Sequence, residues 1–437
     1  MLRNINILVV PGDTEIAYEI IDSLKFHKYF QVIPAVHEKG KKYLFKDLIF
    51  LPYENDPSFL NSLNEIICNH KIDFIIPAND NIALELSRKS EEIKAKIITQ
   101  SYEVHKVVRF KNKTYRALEG IIPVPKTYEA SELEEVEYPI FIKPKAGQGS
   151  IHTFKVNNKK ELNMFLLRYN PEDFVFMEYL PYDEFTIDCF AHNGKLKYFL
   201  ARRREKTFRG ISITTSSVDN ENLNKTFRNY AEVISEKFKM HGIFFFQMKY
   251  DLEWKLKLLE IGARVPGSLS INRGLGVNLI EVSIYQSLGL FKDDDEFFPN
   301  KLSDNSLTLF RPLARVLKSD IKFENLYVDF DDTLITPSNE INLDVINLIF
   351  RCKSFNKRVC IISKNRNGGL RDVLRRYGIE GLFDQIIILS DNDRKVDYMR
   401  PGSLLIDDSF VERREAIKSG MLAYGPENIK IIIDSVR

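Results

Sequence analysis

The stretch FQMKYDLEWKLKLLEIGARVPGS (246–268) decides how the chain is read. Two strand-like segments meet at a turn, with polar residues at matching ends, Gln247 and Glu260, and Arg264 just beyond. Oxygen ligands and an arginine at strand ends suit a magnesium-bound triphosphate. A single Glu that ends a strand is ordinarily just solvated, so the reading rests on the segments before it.

Working outward, FIKPKAGQGSI (141–151) sets Lys143 at the end of a buried strand ahead of Gly147, Gly149 and Ser150. Glycines let backbone N–H groups approach phosphate oxygens, and a lysine adds a fixed positive charge. A surface turn beside a lysine fits that segment equally well in isolation. In VFMEYLPYDEFTID (175–188), Glu178 ends an apolar strand and Glu184 follows a Pro turn. Such acids suit an adenine amino group and ribose hydroxyls. The region from about 106 to 290 is β-rich, and Asn193-Gly194 between alternating strands signals a hairpin. Upstream, INILVVPGDTEIAYEIIDSL (5–24) reads as strand, turn and amphipathic helix, and the alternation continues to about 105 as a small parallel α/β domain. Its Pro-Gly turn lacks a full dinucleotide fingerprint and reads either as a binding loop or as a plain turn.

Taken in this order, the segments resemble the ATP-grasp superfamily over roughly residues 1–315. FKNKTYRALEGIIPVPKTY (110–128) looks like that family's lid entry. The resemblance implies Lys111 on phosphate, with Lys113 as the alternative, Lys143 on the α- and β-phosphates, and 147–150 as a glycine loop. It implies adenine at Glu178, Tyr179 and Leu180, ribose at Glu184, Mg²⁺ on Gln247 and Glu260, and Arg264 on the γ-phosphate or an acyl-phosphate. ARRREKTFRGISITT (201–215) resembles the basic segment over the phosphates, with Arg202 and Arg209 as candidates. The family pattern Glu-x-Asn-x-Arg departs here at Gly262, which removes one metal ligand. Asn272 and Arg273 read either as facing a substrate anion or as a structural helix start.

A second motif, NLYVDFDDTLI (325–335), is a hydrophobic strand ending in Asp329, Asp331 and Asp332. A carboxylate at the C-terminal edge of a parallel sheet can attack phosphorus, and a second can protonate the leaving oxygen and then activate water. Ser363 ends the next strand, Lys395 follows, and Asp407 with Asp408 ends another strand as metal ligands. An Asp–Asp pair after a strand is by itself a common helix cap. All four in order resemble the haloacid dehalogenase (HAD) superfamily over about 325–433. That resemblance implies Asp329 as nucleophile, Asp331 as acid/base, Ser363 and Lys395 on the phosphoryl group, and Mg²⁺ held by the aspartates 329, 331, 407 and 408. About 30 residues separate Asp331 from Ser363 and Ser363 from Lys395, too few for a full cap domain. The final strand is expected near 430–433.

The fold expected is therefore α/β and α+β: a pre-ATP-grasp domain at 1–105, an ATP-grasp domain at 106–318 with its lid about 115–182, and a capless Rossmann-like HAD domain at 324–437. With 437 residues, 28% charged and a formal net charge of +2, no bulk feature argues for nucleic acid or a membrane surface. Four cysteines without CxxC pairing read as reduced thiols of a cytoplasmic protein, and the apolar run at the start is too short for a signal peptide. The function expected is bifunctional. An ATP- and Mg²⁺-dependent ligase joins a small-molecule carboxylate to an amine, and a phosphatase acts on a related phosphorylated metabolite, with a homodimer expected from the resemblance. The alternatives are a small-molecule kinase, or a nucleotide-binding regulatory module attached to an active phosphatase.

Overall fold

The computed structural model describes residues 4–37, 49–147, 149–208, 210–291, 298, 307–311, 321–364 and 369–433. The chain divides into two compact units, residues 1–312 and 313–437. No described helix is long and apolar enough to cross a membrane.

The first unit opens with β1 (Ile5–Val10), α1 (Glu15–Leu24), β2 (Phe30–Val36), β3 (Ile49–Phe50), α2 (Phe59–His70), β4 (Phe74–Pro77), α3 (Asp80–Arg88) and β5 (Lys96–Ile97). The sheet runs β3-β2-β1-β4-β5, and every pairing is parallel. Such a sheet is covered on both faces, which explains the unbroken apolar runs at 5–10 and 74–77. The Pro-Gly turn after β1 is a packing feature: a Cβ on Gly12 would lie 2.5 Å from Pro34 Cβ. Thr14 caps α1 by accepting from the Ala17 N–H.

Two helices, α4 (Tyr102–Val108) and α5 (Lys111–Leu118), lead into a four-stranded antiparallel layer of order β6-β9-β7-β8. It comprises β6 (Thr127–Tyr128), β7 (Ile140–Pro144), β8 (Phe154–Val156), α6 (Lys159–Arg168) and β9 (Phe174–Glu178). A larger sheet follows, from β10 (Glu184–His192), β11 (Lys195–Phe208), β12 (Ile211–Ser217), α7 (Glu221–Phe238), β13 (Gly242–Tyr250), β14 (Leu256–Gly262), α8 (Ser270–Gly274), α9 (Leu279–Ser287) and β15 (Thr308–Phe310). Its order is β14-β13-β10-β11-β12-β15. The expected hairpin at Asn193-Gly194 joins β10 to β11, and both residues take positive φ, 51° and 81°. The parallel sheet and this sheet share one core, in which Ile5, Ile7 and Ile20 pack with Phe190, Ile243 and Ile280. Of residues 291–306, Phe291 and Phe298 fall within the described residues.

The second unit contains β16 (Asn325–Val328), α10 (Leu343–Ser354), β17 (Arg358–Ser363), α11 (Leu370–Arg376), β18 (Gln385–Ile388), β19 (Leu404–Ile406), α12 (Phe410–Lys418), β20 (Leu422–Tyr424) and α13 (Ile429–Ile432). Its sheet, β18-β17-β16-β19-β20, is parallel throughout. The strand expected at 430–433 is instead a short helix. The sheet edge there is taken by β20, and Pro426 at the start of a helical turn directs the chain into α13. Among the described residues between β16 and α10 there is only a tight hairpin, with Thr336 and Glu340 bonded N–H to carbonyl at 2.8 Å.

Candidate functional site

In the first unit, cross-strand register builds the site. Gln247 on β13 lies opposite Glu260 on β14, and both face a cavity of about 510 Å³ together with Lys111, Arg264 and the glycines at 147 and 149. A second cavity, about 290 Å³, is walled by Lys143, Ser150, Tyr179, Leu180 and Glu184. Lys111, Gly147, Gly149, Arg204, Gln247 and Glu260 line both, so the two are parts of one cleft.

Lys111 is buried, donates to the Gly147 carbonyl at 3.2 Å and stands 3.6 Å from Glu260 Oε2. The alternative, Lys113, is exposed and sits over the Phe110 ring. Lys143 is buried, donates to the Leu259 carbonyl at 3.1 Å and lies 5.3 Å from the centre of the Tyr115 ring. Burial, reinforced by the Lys111 charge, pulls its ammonium down to about 7. The glycine loop rests on the β11–β12 turn: a Cβ on Gly210, whose φ is +74°, would meet Ser150 Oγ at 2.4 Å and Gly149 C at 2.6 Å. Only glycine permits that approach.

Glu184 is paired with Arg204 and lies 3.6 Å from Lys249. Glu178 is not brought to the cleft. Its carboxylate accepts from the Lys126 N–H at 2.8 Å and pairs with Lys257 at 3.4 Å. Arg202 touches the larger cavity, but its guanidinium is already held by Asp188 through bonds of 2.9 and 3.0 Å. Asn272 and Arg273 are structural: Asn272 donates to Asp188 and accepts from Tyr198, and Arg273 pairs with Glu19 and Asp22. Gln148 and Arg209 lie outside the described residues.

The sequence reading missed the cavity's far wall, which α1 and α3 supply. Asp80, in the first turn of α3, stands 3.0 Å from Arg264 Nε. Burial pushes its carboxyl up, but the charges of Arg264, Arg109 and Lys111 outweigh this and hold it below the usual carboxylate range. Glu15, in the first turn of α1, bonds Arg311 at 2.9 Å. An acid in a helix's first turn is the ordinary partner of the helix dipole, which is why nothing in the sequence singles these two out.

In the second unit, Asp329 follows β16 directly, and Lys395 bridges its Oδ1 to Asp407 Oδ2 at 2.6 Å each. Burial pushes the Asp329 carboxyl up to about 7, with Lys395 opposing and Asp407 adding to the rise. Burial likewise lowers Lys395, but Asp329 and Asp407 outweigh it and hold the ammonium above its ordinary range. Asp408 is fixed by Thr333, whose hydroxyl donates to its carboxylate and accepts its N–H. Carboxylate oxygens of Asp329, Asp407 and Asp408 lie within 4.8 Å of one another. One lysine among three such carboxylates leaves excess negative charge, so the donor set fits a divalent cation. Asp331 is not in that group; its carboxylate accepts from Ser363 Oγ at 3.4 Å.

The family model described as ATP-grasp in the biosynthetic pathway with Ter operon matches residues 170–305. A comparison with curated proteins finds no match. Among solved structures, the biotin carboxylase domain dimer of Hydrogenobacter thermophilus 2-oxoglutarate carboxylase, in complex with MgADP, ADP and bicarbonate, is 16% identical, covering 65% of this chain and 69% of its own, at a TM-score of 0.55. L-amino acid ligase from Bacillus licheniformis is 16% identical over 67% of this chain and 77% of its own, at 0.53. N5-carboxyaminoimidazole synthase from Aspergillus clavatus, in complex with ADP and its ribonucleotide ligand, is 14% identical over 68% and 80%, at 0.54. At these identities the likeness is one of fold: the chain carries an ATP-grasp fold.

Proposed function

We propose that the first unit is an ATP- and Mg²⁺-dependent ligase joining a small-molecule carboxylate to an amine, and that the second is a HAD-type phosphatase acting on a related phosphorylated metabolite. The observation that carries the ligase reading is the single cleft shared by Lys111, Lys143, Gln247, Glu260 and Arg264. The MgADP in the Hydrogenobacter thermophilus structure supports it.

In this reading Lys111, Lys143 and the N–H groups of Gly147, Gly149 and Ser150 hold phosphate oxygens. The adenine edge meets the backbone at Tyr179 and Leu180, and Glu178 serves by fixing that segment to Lys126. Glu184 takes the ribose. Arg204, which is paired with Glu184 and lines both cavities, joins Arg202 as a candidate over the phosphates. Gln247 and Glu260 hold Mg²⁺, which neutralises developing charge. A substrate carboxylate oxygen attacks the γ-phosphorus and ADP leaves; Arg264 stabilises the charge on the transferring group. The amine then attacks the carbonyl carbon, and inorganic phosphate departs.

In the second unit the Asp329 carboxylate attacks phosphorus while Asp331 protonates the leaving oxygen. Asp331 then takes a proton from the water that hydrolyses the aspartyl-phosphate and regenerates Asp329. Ser363 and Lys395 hold phosphoryl oxygens, and Asp407 with Asp408 completes the Mg²⁺ site. The cluster of Asp329, Lys395 and Asp407 carries this part. A cytoplasmic homodimer is the assembly we propose.

The test is a screen of carboxylates and amines for substrate-dependent ADP release, run on an Asp329→Asn variant so that phosphatase activity cannot erase a phosphorylated product. Hydroxylamine should then intercept the acyl-phosphate as a hydroxamate. ADP release without hydroxamate would point to a kinase, and nucleotide binding without ADP release to a regulatory module.

A further inference from the structure

Four residues form a two-by-two block on the cleft-facing side of the β13–β14 hairpin. Gln247 lies opposite Glu260, and Phe245 lies opposite Gly262. Side chains alternate along a strand, so these four share a face, and all four line the larger cavity. One pair offers two oxygen donors and the other offers none.

The second pair is also closed to any donor. A Cβ on Gly262 would stand 2.2 Å from both Cε1 and Cζ of Phe245. The ring therefore lies on the glycine and fills the volume that a side chain at 262 would need, as aromatic rings do over glycines of a neighbouring strand. Phe245 is only 4% exposed. Near the same ring sits Arg264, its guanidinium carbon 5.2 Å from the centroid, within cation–π range.

We propose that the cleft holds one divalent cation, on Gln247 and Glu260, and that the Arg264 guanidinium, seated on the Phe245 ring, supplies to the terminal phosphate the positive charge a second cation would bring. This rests on the ATP reading above. A hard divalent cation demands oxygen ligands; the Phe245–Gly262 pair supplies none, and the Asp80 carboxylate on the same cavity is already paired with Arg264 at 3.0 Å. A guanidinium needs no ligand shell, and its planar fork matches phosphate oxygens. Phe245 is then a positioning residue, acting through Arg264.

The test counts Mn²⁺ by electron paramagnetic resonance on the full chain with a saturating non-hydrolysable ATP analogue. The quantity read is the increase in bound Mn²⁺ on adding nucleotide, which sets aside metal held by the second unit. One Mn²⁺ per bound nucleotide is expected, rising to two in the Phe245→Ala, Gly262→Asn double variant. Two per nucleotide in the unmodified protein would overturn the proposal, and this count decides even if the double variant does not fold. Arg264→Met should weaken the ATP analogue about tenfold or more while leaving ADP within about twofold. Equal weakening of both would overturn the role given to Arg264. Failure to bind any nucleotide would instead remove the ATP site itself, and this inference with it.

Discussion

The Lys143 ammonium donates to the Leu259 carbonyl at 3.1 Å, in the wall of the smaller of the two cavities proposed above to take ATP. It sits there half-titrated at neutral pH, because burial and the neighbouring Lys111 pull it down to about 7. Triphosphate beside it favours the charged form, so nucleotide binding raises this value and takes up a proton. Uptake should be close to one proton at pH 8 and close to none at pH 6. Affinity should fall as pH rises above 7, by up to about tenfold per unit. Calorimetry in two buffers of different ionisation enthalpy reads the uptake directly. Lys143→Met should abolish it; uptake that persists unchanged in that variant would assign the proton elsewhere.

Asp331 accepts from Ser363 and is not one of the three aspartates whose carboxylate oxygens gather within 4.8 Å. As general acid it should matter most for poor leaving groups. Asp331→Asn should slow hydrolysis of alkyl phosphates by about 10²–10⁴-fold. An aryl phosphate with an acidic leaving group should suffer less in its first step. Equal losses for both in a single-turnover measurement would argue against proton donation.

Lys395 is the cation between Asp329 and Asp407, and all three side chains are at least nine-tenths buried. Removing it leaves charge stranded in a poorly solvated site. Lys395→Met should cost the second unit about 3–5 kcal/mol in metal-free buffer. Urea denaturation in EDTA checks this, and Mg²⁺ should restore part of the loss. A change below about 1 kcal/mol would mean that water already reaches the aspartates.

His105 lines the larger cavity, and its Nε2 lies 2.9 Å from Thr99 Oγ1. Burial holds its ring down to about 4, against an ordinary value near 6.5. The unfolded chain therefore binds the extra proton between pH 6.5 and 4, and stability falls with pH across that window. The full contribution is present above pH 6.5 and roughly 3 kcal/mol is lost by pH 4. The difference in pH slope between the unmodified protein and His105→Asn isolates this from the carboxylates. Identical slopes would contradict it.

What the sequence made legible was local. Gln247 and Glu260 were readable because hairpin geometry sets strand ends opposite each other, and the structure pairs them. The α/β alternation of residues 5–97 follows from apolar runs and helix periodicity, and the sheet is parallel in every pairing. The far wall of the cavity was not legible. Asp80 and Glu15 reach it only because the first sheet shares a core with the larger one, a contact between residues some 180 positions apart. In ARRRE, three successive arginines look alike. The structure separates them by partner and place: Arg202 is held by Asp188, Arg203 by Asp183 and Arg204 by Glu184, and of the three Arg204 lines both cavities. The partner of Glu178 is equally hidden in the sequence, a backbone N–H 52 residues away. Gly262 is visible in the sequence as a missing ligand, but the Phe245 ring that occupies its side-chain volume reaches it only across the folded hairpin.

If one chain carries two independent chemistries, a pair of single variants separates them. Phosphatase turnover and substrate-dependent ADP release are measured side by side on Asp329→Asn and Lys143→Met, each confirmed as folded by circular dichroism. Asp329→Asn should lose phosphatase activity by about 10³-fold or more while ADP release stays within about twofold, and Lys143→Met should show the reverse. Loss of both activities from either single change in folded protein would mean that the two sites do not act independently.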